Sequence, residues 1–490
     1  MSEELKGLQP EKLWELFSQI ASIPHGSKNE TRLASHLRQI AEEAGVTVNQ
    51  DNAGNLCILV PATPGYESAP VVILQGHLDM VCEKNEAVDF DFTKDAIRLV
   101  RDGDWIRADG TTLGADNGIG VAAALATALT ENIIHGSLEI LLTVDEETGL
   151  TGAMGLSSSL VSGRILLNLD SEKAGAVCIG CAGGGGVTTR LLLEWIDTPD
   201  RMVGMELKLT GLQGGHSGLD IHENRGNAIK LIARILCALK GLGVTPADFQ
   251  SGDKHNAIPR EGTATLALPA DHLPKAQKII DDQLKLFRNE FPREQHMRIF
   301  GTQVSPPGRV LSSKSFDTAL DMLMAFSHGV LAMSSDIPGL VETSNNLSSA
   351  HIKGKVLIAH NTPRSSLAKA LQITVDQIVA ISDLAGATSQ IEEPYPGWQP
   401  NPDSKILHIL EDVYEELFGN RPVREATHAG LECGVIGEKL GGMDMVSFGP
   451  DMVNAHSPSE AVSVVSVEKF WKLLVGLLQK VAKGAYQYIN

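Results

Sequence analysis

The apolar positions of this chain fall into two textures. At residues 71–74, 138–144, 165–169 and 443–448 the runs VVIL, LEILLTV, ILLNL and MDMVSF are apolar almost without alternation. Runs of that length, bounded by glycine, proline or charge, predict strands buried on both faces. Around them, apolar residues recur at helical spacing. Leu13, Leu16, Phe17 and Ile20, then Leu33, Leu37, Ile40 and Ala41, predict two helices within residues 11–45, separated at Ile23, Pro24 and Gly26. Residues 46–60 read as two short strands about a turn at Asp51 and Gly54. The glycine-rich stretch TTLGADNGIG feeds an alanine-rich helix at 121–129, and residues 404–418 and 466–482 read as further helices. Buried strands with helices between them predict an α/β domain on a largely parallel sheet.

From about residue 188 to 390 the pattern changes. Amphipathic strands (205–209, 262–268) alternate with helices (227–239, 275–291). A similar cycle then recurs: helix 315–326, strands 342–351 and 355–360, helix 375–387. This predicts an inserted α+β domain, 188–390, built of two related halves. It interrupts a discontinuous domain of residues 1–187 and 391–490. The turn-rich PYPGWQP at 394–400 serves as a rigid return linker.

Length and charge narrow the picture. A chain of 490 residues is too long for one ordinary core. Its 60 acidic residues exceed the 41 basic ones, and the net charge of −19 argues against nucleic acid and anionic membrane surfaces as partners. The N-terminus lacks the apolar core of a secretory signal, and the apolar runs are too short to span a bilayer, so a cytoplasmic location is expected. The lone pair Cys178 and Cys181 has no second pair to complete a zinc ribbon, so the six cysteines read as reduced thiols.

The chemistry lies where the buried strands end. The first ends in His77 and Asp79, the second in Asp145, Glu146 and Glu147, the third in Asp170, and the fourth leads to a loop holding His456. Asp116 stands near a helix N-terminus, where N–H groups and the dipole favour an ionised carboxylate. In a parallel sheet these endings gather at the carboxyl edge. Two imidazoles with several carboxylates and no thiolate suit zinc, cobalt or manganese. The set exceeds what one tetrahedral zinc needs. It suits two ions about 3.5–4 Å apart with one bridging carboxylate, for which Asp116 is the best candidate. Glu146 and Glu147 are adjacent, so from an extended backbone they cannot both face one ion. One binds metal and the other takes the proton of the attacking water; spacing leaves open which. Asp79 is placed to support the His77 ring from behind.

The segments GHLDMV, GTTLGADNGIG, DEETG, NLDSE, GGHSG, NAIPRE, HAGLECG and AHSPSE, in this order, resemble the di-zinc exopeptidases of the aminoacylase and carnosinase group over about residues 8 to 485. The resemblance implies a zinc-exopeptidase-like, three-layer catalytic domain with a mostly parallel mixed sheet, and an inserted lid. It implies His77, Asp116, Glu147, Asp170 and His456 as ligands of two Zn2+ per chain, with Co2+ or Mn2+ as substitutes. Glu146 becomes the general base, and Asp79 the support of His77. In the lid it implies that His216 reaches the scissile carbonyl and that Asn256 lies near the substrate. It further implies that Arg364, after a strand, binds the substrate's C-terminal carboxylate, a group a bidentate guanidinium suits. Gly430 offers a backbone contact. The implied activity is hydrolysis of unblocked dipeptides, including Xaa-His dipeptides such as β-alanyl-histidine; the alternative is an N-acyl amino acid amidohydrolase. The expected partners are small peptide substrates and, in a homodimer, a second copy of the chain. Shorter-lid members dimerise through one α+β unit, and the doubled lid here departs from that mode.

Overall fold

A computed structural model of the chain describes residues 2–335 and 337–486. Met1, Asp336 and residues 487–490, the last of which end the expected discontinuous domain, lie outside the described residues. The chain divides into two compact units: residues 1–180, 398–426 and 431–490 form the first, and residues 181–397 and 427–430 the second.

The first unit is organised by an eight-stranded mixed sheet. Its order is Thr47–Gln50, Leu56–Val60, Leu138–Thr143, Val72–His77, Ile165–Asn168, Asp444–Ser447, Ala176–Cys181, Val423–Thr427. The four apolar runs are the four central strands, side by side and mutually parallel. The strands Thr47–Gln50 and Leu56–Val60 are added antiparallel at one side. Every residue of Val72–His77 and Leu138–Thr143 is buried, which explains their lack of alternation.

Alternate residues of a strand point to opposite faces, and Val72–His77 shows what covers each. A Cβ on Gly76 would meet Asn117 Oδ1 at 2.2 Å and Val121 Cγ2 at 3.6 Å. The helix Ala115–Leu129 therefore lies directly on that face, and glycine is the residue that admits it. On the other face Gln75 Nε2 donates to Glu432 Oε2 at 2.6 Å, at the start of the helix Glu432–Lys439. Helices on both faces make three layers. The helices Glu11–Ala21, Thr31–Glu43, Lys405–Phe418 and Val464–Lys480 lie where periodicity predicts them. Less legible is a small antiparallel sheet of Leu99–Asp102, Trp105–Ala108, Ala461–Ser463 and Met452–Val453. Its last two strands pair as a hairpin whose loop carries His456.

The second unit is built on an antiparallel sheet. Its main path runs Arg298–Val304, Met202–Thr210, Gly262–Pro269, Thr245–Ser251, Val341–Lys353, Val356–Ser365, Val187–Leu192, Thr388–Ile391. Two halves share one design. In one, four strands from Met202–Thr210 to Arg298–Val304 enclose the helices Ala228–Leu239 and Leu273–Glu290 in the chain order βαββαβ. In the other, Val187–Leu192, Val341–Lys353, Val356–Ser365 and Thr388–Ile391 carry the helices Ser313–Ala325 and Ala368–Leu384 in the same order. Within each half the strands lie fourth, first, third, second. The halves join edge to edge where Gln250 faces His351 and Ser251 faces Ala350. They are nested rather than consecutive, because the first strand of the second half precedes the whole of the first. The strand expected at 355–360 runs on to Ser365, so Arg364 lies within a strand instead of after it.

Among the described residues no helix is long and apolar enough to cross a membrane.

Candidate metal centre

Four of the expected residues leave the sheet at one edge. Val72–His77 ends in His77, Leu138–Thr143 leads to Glu146 and Glu147, and Ile165–Asn168 leads to Asp170. Asp116 enters from the start of the helix Ala115–Leu129, where its own backbone is non-helical (φ −83°, ψ 106°). His456 sits in the left-handed region (φ 62°) of its hairpin loop.

These residues form two trios that share one carboxylate. His77 Nε2 lies 3.1 Å from Asp116 Oδ1 and 3.2 Å from Asp170 Oδ1. His456 Nε2 lies 3.0 Å from Asp116 Oδ2 and 3.1 Å from Glu147 Oε2. In each trio one ligand atom per residue stands within 4.8 Å of the others. Ligand atoms bonded to zinc at about 2.0–2.1 Å in a tetrahedron are roughly 3.3 Å apart, close to the separations here. Glu147 Oε1 and Asp170 Oδ1 are buried without a hydrogen bond. Buried carboxylate oxygens are ordinarily satisfied, so these fit a cation. Glu146 also brings a carboxylate oxygen within reach of His77 and Glu147. The two neighbours converge because the chain is not extended there: Asp145 is left-handed (φ 51°), and a turn follows.

The surroundings hold this arrangement in place. Both oxygens of Glu460 accept backbone N–H groups of the loop that delivers Asp116: Leu113 at 2.7 Å, Gly114 at 3.1 Å, Ala115 at 2.8 Å and Asp116 at 3.4 Å. Asp79 Oδ1 accepts from Glu146 N at 2.9 Å, and Oδ2 accepts from Glu147 N at 3.2 Å and Ser27 Oγ at 2.8 Å. Toward His77, the closer Asp79 group is its backbone carbonyl, 3.0 Å from Nδ1, with Oδ1 at 3.4 Å. Asp79 thus holds the glutamate turn as well as the ring.

Acids outnumber the two imidazoles. Burial pushes Asp170 up to about 7, and Asp116 and Glu147 add to it against His77. Burial does the same to Glu172 and Glu432, each pushed up to about 7. Glu146 is raised well above the usual carboxylate range by burial, with Asp170, Glu432 and Glu147 reinforcing it. Burial opposes the charge on His77, yet Asp170, Asp116 and Asp79 outweigh it and hold the ring well above its ordinary value. Hydrogen bonds to Asp116 and Glu147 push His456 up to about 11. A centre that must take up protons to offset its own carboxylates is one that cations would relieve.

Comparison with known proteins adds a decisive observation. The model of the peptidase family M20/M25/M40 matches residues 73–480. The chain belongs to that family. It is 41% identical over 480 residues to the cytosol non-specific dipeptidase of Escherichia coli (strain K12), covering 98% of this chain and 99% of the relative. It is similar at 41% identity and a TM-score of 0.91 to the crystal structure of aminoacylhistidine dipeptidase from Vibrio alginolyticus, over 98% of each chain. The fold is shared more distantly with aminopeptidase PepT from Bacillus cereus, at 17% identity and a TM-score of 0.56, over 97% of this chain and 99% of that one.

The remaining expected residues of this M20/M25/M40 chain lie in the second unit. His216 Nδ1 accepts from the backbone N–H groups of Gly218 at 3.2 Å and Leu219 at 3.0 Å. Those groups only donate, so the ring's proton is on Nε2. Burial and Arg364 lower the ring's pKa against Asp220, which favours this neutral form. Asn256 is exposed, and its carbonyl accepts from Ser217 N at 2.8 Å. Arg364 is buried; its Nη1 donates to Tyr395 Oη at 2.8 Å, while Nε has no hydrogen bond. A Cβ on Gly430 would meet the Tyr395 ring at 2.9 Å, so glycine there leaves room for the tyrosine.

Sequence reasoning missed Glu460, Glu432, Ser27 and Tyr395. Glu460 and Glu432 stand inside the segments AHSPSE and HAGLECG, but nothing in their spacing separates a buried acceptor of backbone N–H groups from a surface acid. Glu460→Gln exposes its consequence. The amide turns an NH2 group toward backbone donors and loses half of the acceptor contacts on the Asp116 loop. Metal affinity should fall about 10–100-fold, as for loss of an outer support, with an unchanged circular dichroism spectrum. Wild-type affinity in that variant would show that Asp116 is placed without Glu460.

Proposed function

We propose that this peptidase is a two-zinc dipeptidase of the cytoplasm that cleaves unblocked dipeptides, Xaa-His dipeptides such as β-alanyl-histidine among them. The observation that carries the metal part is the division of Asp116's two oxygens between two ligand trios. The substrate class and the location follow the names of the relatives matched end to end. His77, Asp116 and Asp170 hold one ion and Asp116, Glu147 and His456 the other, with Co2+ or Mn2+ as substitutes. The second unit, residues 188–390 in the main, acts as the lid.

Zinc bound at these trios supplies Lewis acidity, which polarises the scissile carbonyl and acidifies the attacking water. Glu146 takes the water's proton as the new C–O bond forms. It then delivers that proton to the amine nitrogen as the C–N bond breaks. Burial, the largest cause of the raised proton affinity of Glu146, suits both halves of this transfer. His216 Nε2–H donates to the developing oxyanion. Arg364, steadied by Tyr395, pairs with the substrate's terminal carboxylate. Asn256 and the backbone at Gly430 position the peptide, and Asp79 keeps Glu146, Glu147 and His77 in register.

The competing reading is an N-acyl amino acid amidohydrolase of the same family. A hydrolysis panel of free against N-acetylated dipeptides, with metal-stripped and zinc-restored protein, separates the two. Zinc-dependent cleavage of the free dipeptides is expected; preference for the acetylated set would overturn the dipeptidase reading.

Three variants separate the residue roles. Glu147→Gln should weaken binding of one ion. Glu146→Gln should keep metal and KM while kcat falls about 10²–10⁴-fold, the worth of a general base. His216→Ala should keep metal and lose about 10²–10³ in kcat, as for an oxyanion donor. Metal loss in Glu146→Gln with retention in Glu147→Gln would reverse the two glutamates, and near-normal turnover in His216→Ala would remove the histidine from the mechanism.

A further inference from the structure

A second cluster of metal-type ligands lies in the second unit, made of residues with no part in the centre described above. His255 Nδ1 stands 2.6 Å from His360 Nε2, with the ring centroids 3.9 Å apart. Glu392 Oε1 lies 3.8 Å from His360 Nδ1. One ligand atom from each of the three falls within 4.8 Å of the other two. We propose that His255, His360 and Glu392 form a further binding site for a zinc-type divalent ion.

The cluster is held by the fold. His360 is buried in Val356–Ser365, opposite Thr188 in Val187–Leu192. Thr188 is in turn opposite Gln390 in Thr388–Ile391, and Glu392 follows that strand, its N–H donating to Gly186 O at 2.9 Å. Three neighbouring strands thus fix His360 and Glu392. His255 comes from the loop between Thr245–Ser251 and Gly262–Pro269, and its carbonyl accepts from Thr362 Oγ1 at 2.8 Å. Thr362 lies two residues beyond His360, on the same face of the strand.

The proton inventory permits metal entry. Two ring nitrogens at 2.6 Å share one proton, so at least one ring is neutral and one nitrogen carries an N–H. Thr188 Oγ1 lies 2.9 Å from His360 Nδ1 and can accept a hydrogen bond from a proton relocated to that nitrogen. That frees Nε2 as a ligand beside His255, the arrangement in which a metal-bound imidazole donates its other N–H to a neighbouring oxygen. Glu392, whose Oε1 stands on the Nδ1 side of the ring, joins by turning its exposed carboxylate toward the ion. The rings must part by roughly 0.7 Å to reach a tetrahedral ligand spacing near 3.3 Å. Two imidazoles and a carboxylate are a ligand set that zinc accepts with a fourth position left for water.

An ion here would tie the 252–258 loop to the strand that carries Arg364. The loop bears Asn256, whose carbonyl already accepts from Ser217 beside His216. The site would therefore brace two of the proposed substrate contacts; that consequence rests on the proposed function, whereas ion binding does not.

The test is a zinc chloride titration of the metal-loaded enzyme, followed by metal analysis after gel filtration and hydrogen exchange of residues 252–258. Wild type should retain one ion per chain more than His255→Ala, and its loop should exchange more slowly once that ion is bound. Glu392→Gln, at an exposed position, should bind the same ion at least about 10-fold more weakly. Equal metal content in wild type and His255→Ala, or unchanged affinity in Glu392→Gln, would overturn the proposal. Neither readout uses peptide hydrolysis, so failure here leaves the dipeptidase reading where it stands.

Discussion

The carboxylate of Asp116 is the constraint on which the rest depends. Its two oxygens face two imidazoles at 3.0–3.1 Å, one from a strand end and one from a distant hairpin loop. An ionised group that is about nine-tenths buried is costly unless it is compensated, and Asp116 is held below the usual carboxylate range despite its burial. Hydrogen bonds to His456 and His77 outweigh that burial. Sharing a single carboxylate between two trios demands that helix, strand and loop meet within a few tenths of an ångström. Several otherwise unremarkable features follow from that demand. Gly76 lets the helix lie on the strand. Asn117 Nδ2 donates to Leu169 O at 2.8 Å, locking the helix start to the chain that leads to Asp170. Glu460 gathers four backbone N–H groups to fix the loop. Of the other buried acids beside the two trios, Glu460 and Asp79 orient backbone segments, and Glu432 reinforces the raised proton affinity of Glu146.

Much of this was readable from residue order alone. The four largely apolar runs, short and bounded by glycine, proline or charge, read as strands covered on both faces, and they are the four parallel strands at the centre of the sheet. Their acidic and imidazole endings then had to gather at one edge, because parallel strands end together. What failed was an assumption about the backbone. The glutamate pair was split on the premise of an extended chain, and the left-handed Asp145 bends the chain so that both carboxylates approach His77. Glu460 was invisible for a different reason: its role lies in accepting main-chain N–H groups contributed from 344–347 residues away. The small sheet that carries His456 was also missed, since strands of two to four residues leave too few positions for alternation to show.

The second unit shows the same mixture. A repeated cycle of two strands and two helices could be read from periodicity, but neither the other two strands of each half nor the nesting could, because nesting depends on which strands pair. Arg364 looked like a cation after a strand; it is a buried residue within one, satisfied on one nitrogen by Tyr395. His216 stands on a glycine-rich loop, and its two backbone donors turn it into a neutral ring with a defined Nε2 proton. In both cases the proposed role rests on a hydrogen-bond direction, set by neighbours that are adjacent in space or by a turn too local to leave a pattern.

The central claim is that one carboxylate joins two ions. Metal analysis and zinc affinity of Asp116→Ala beside wild type test it most directly, read at the two tightest sites. Wild type should hold two ions there, and the variant should lose affinity at both together. Loss of one ion with the other retained at wild-type affinity, or no change at either, would contradict the shared centre.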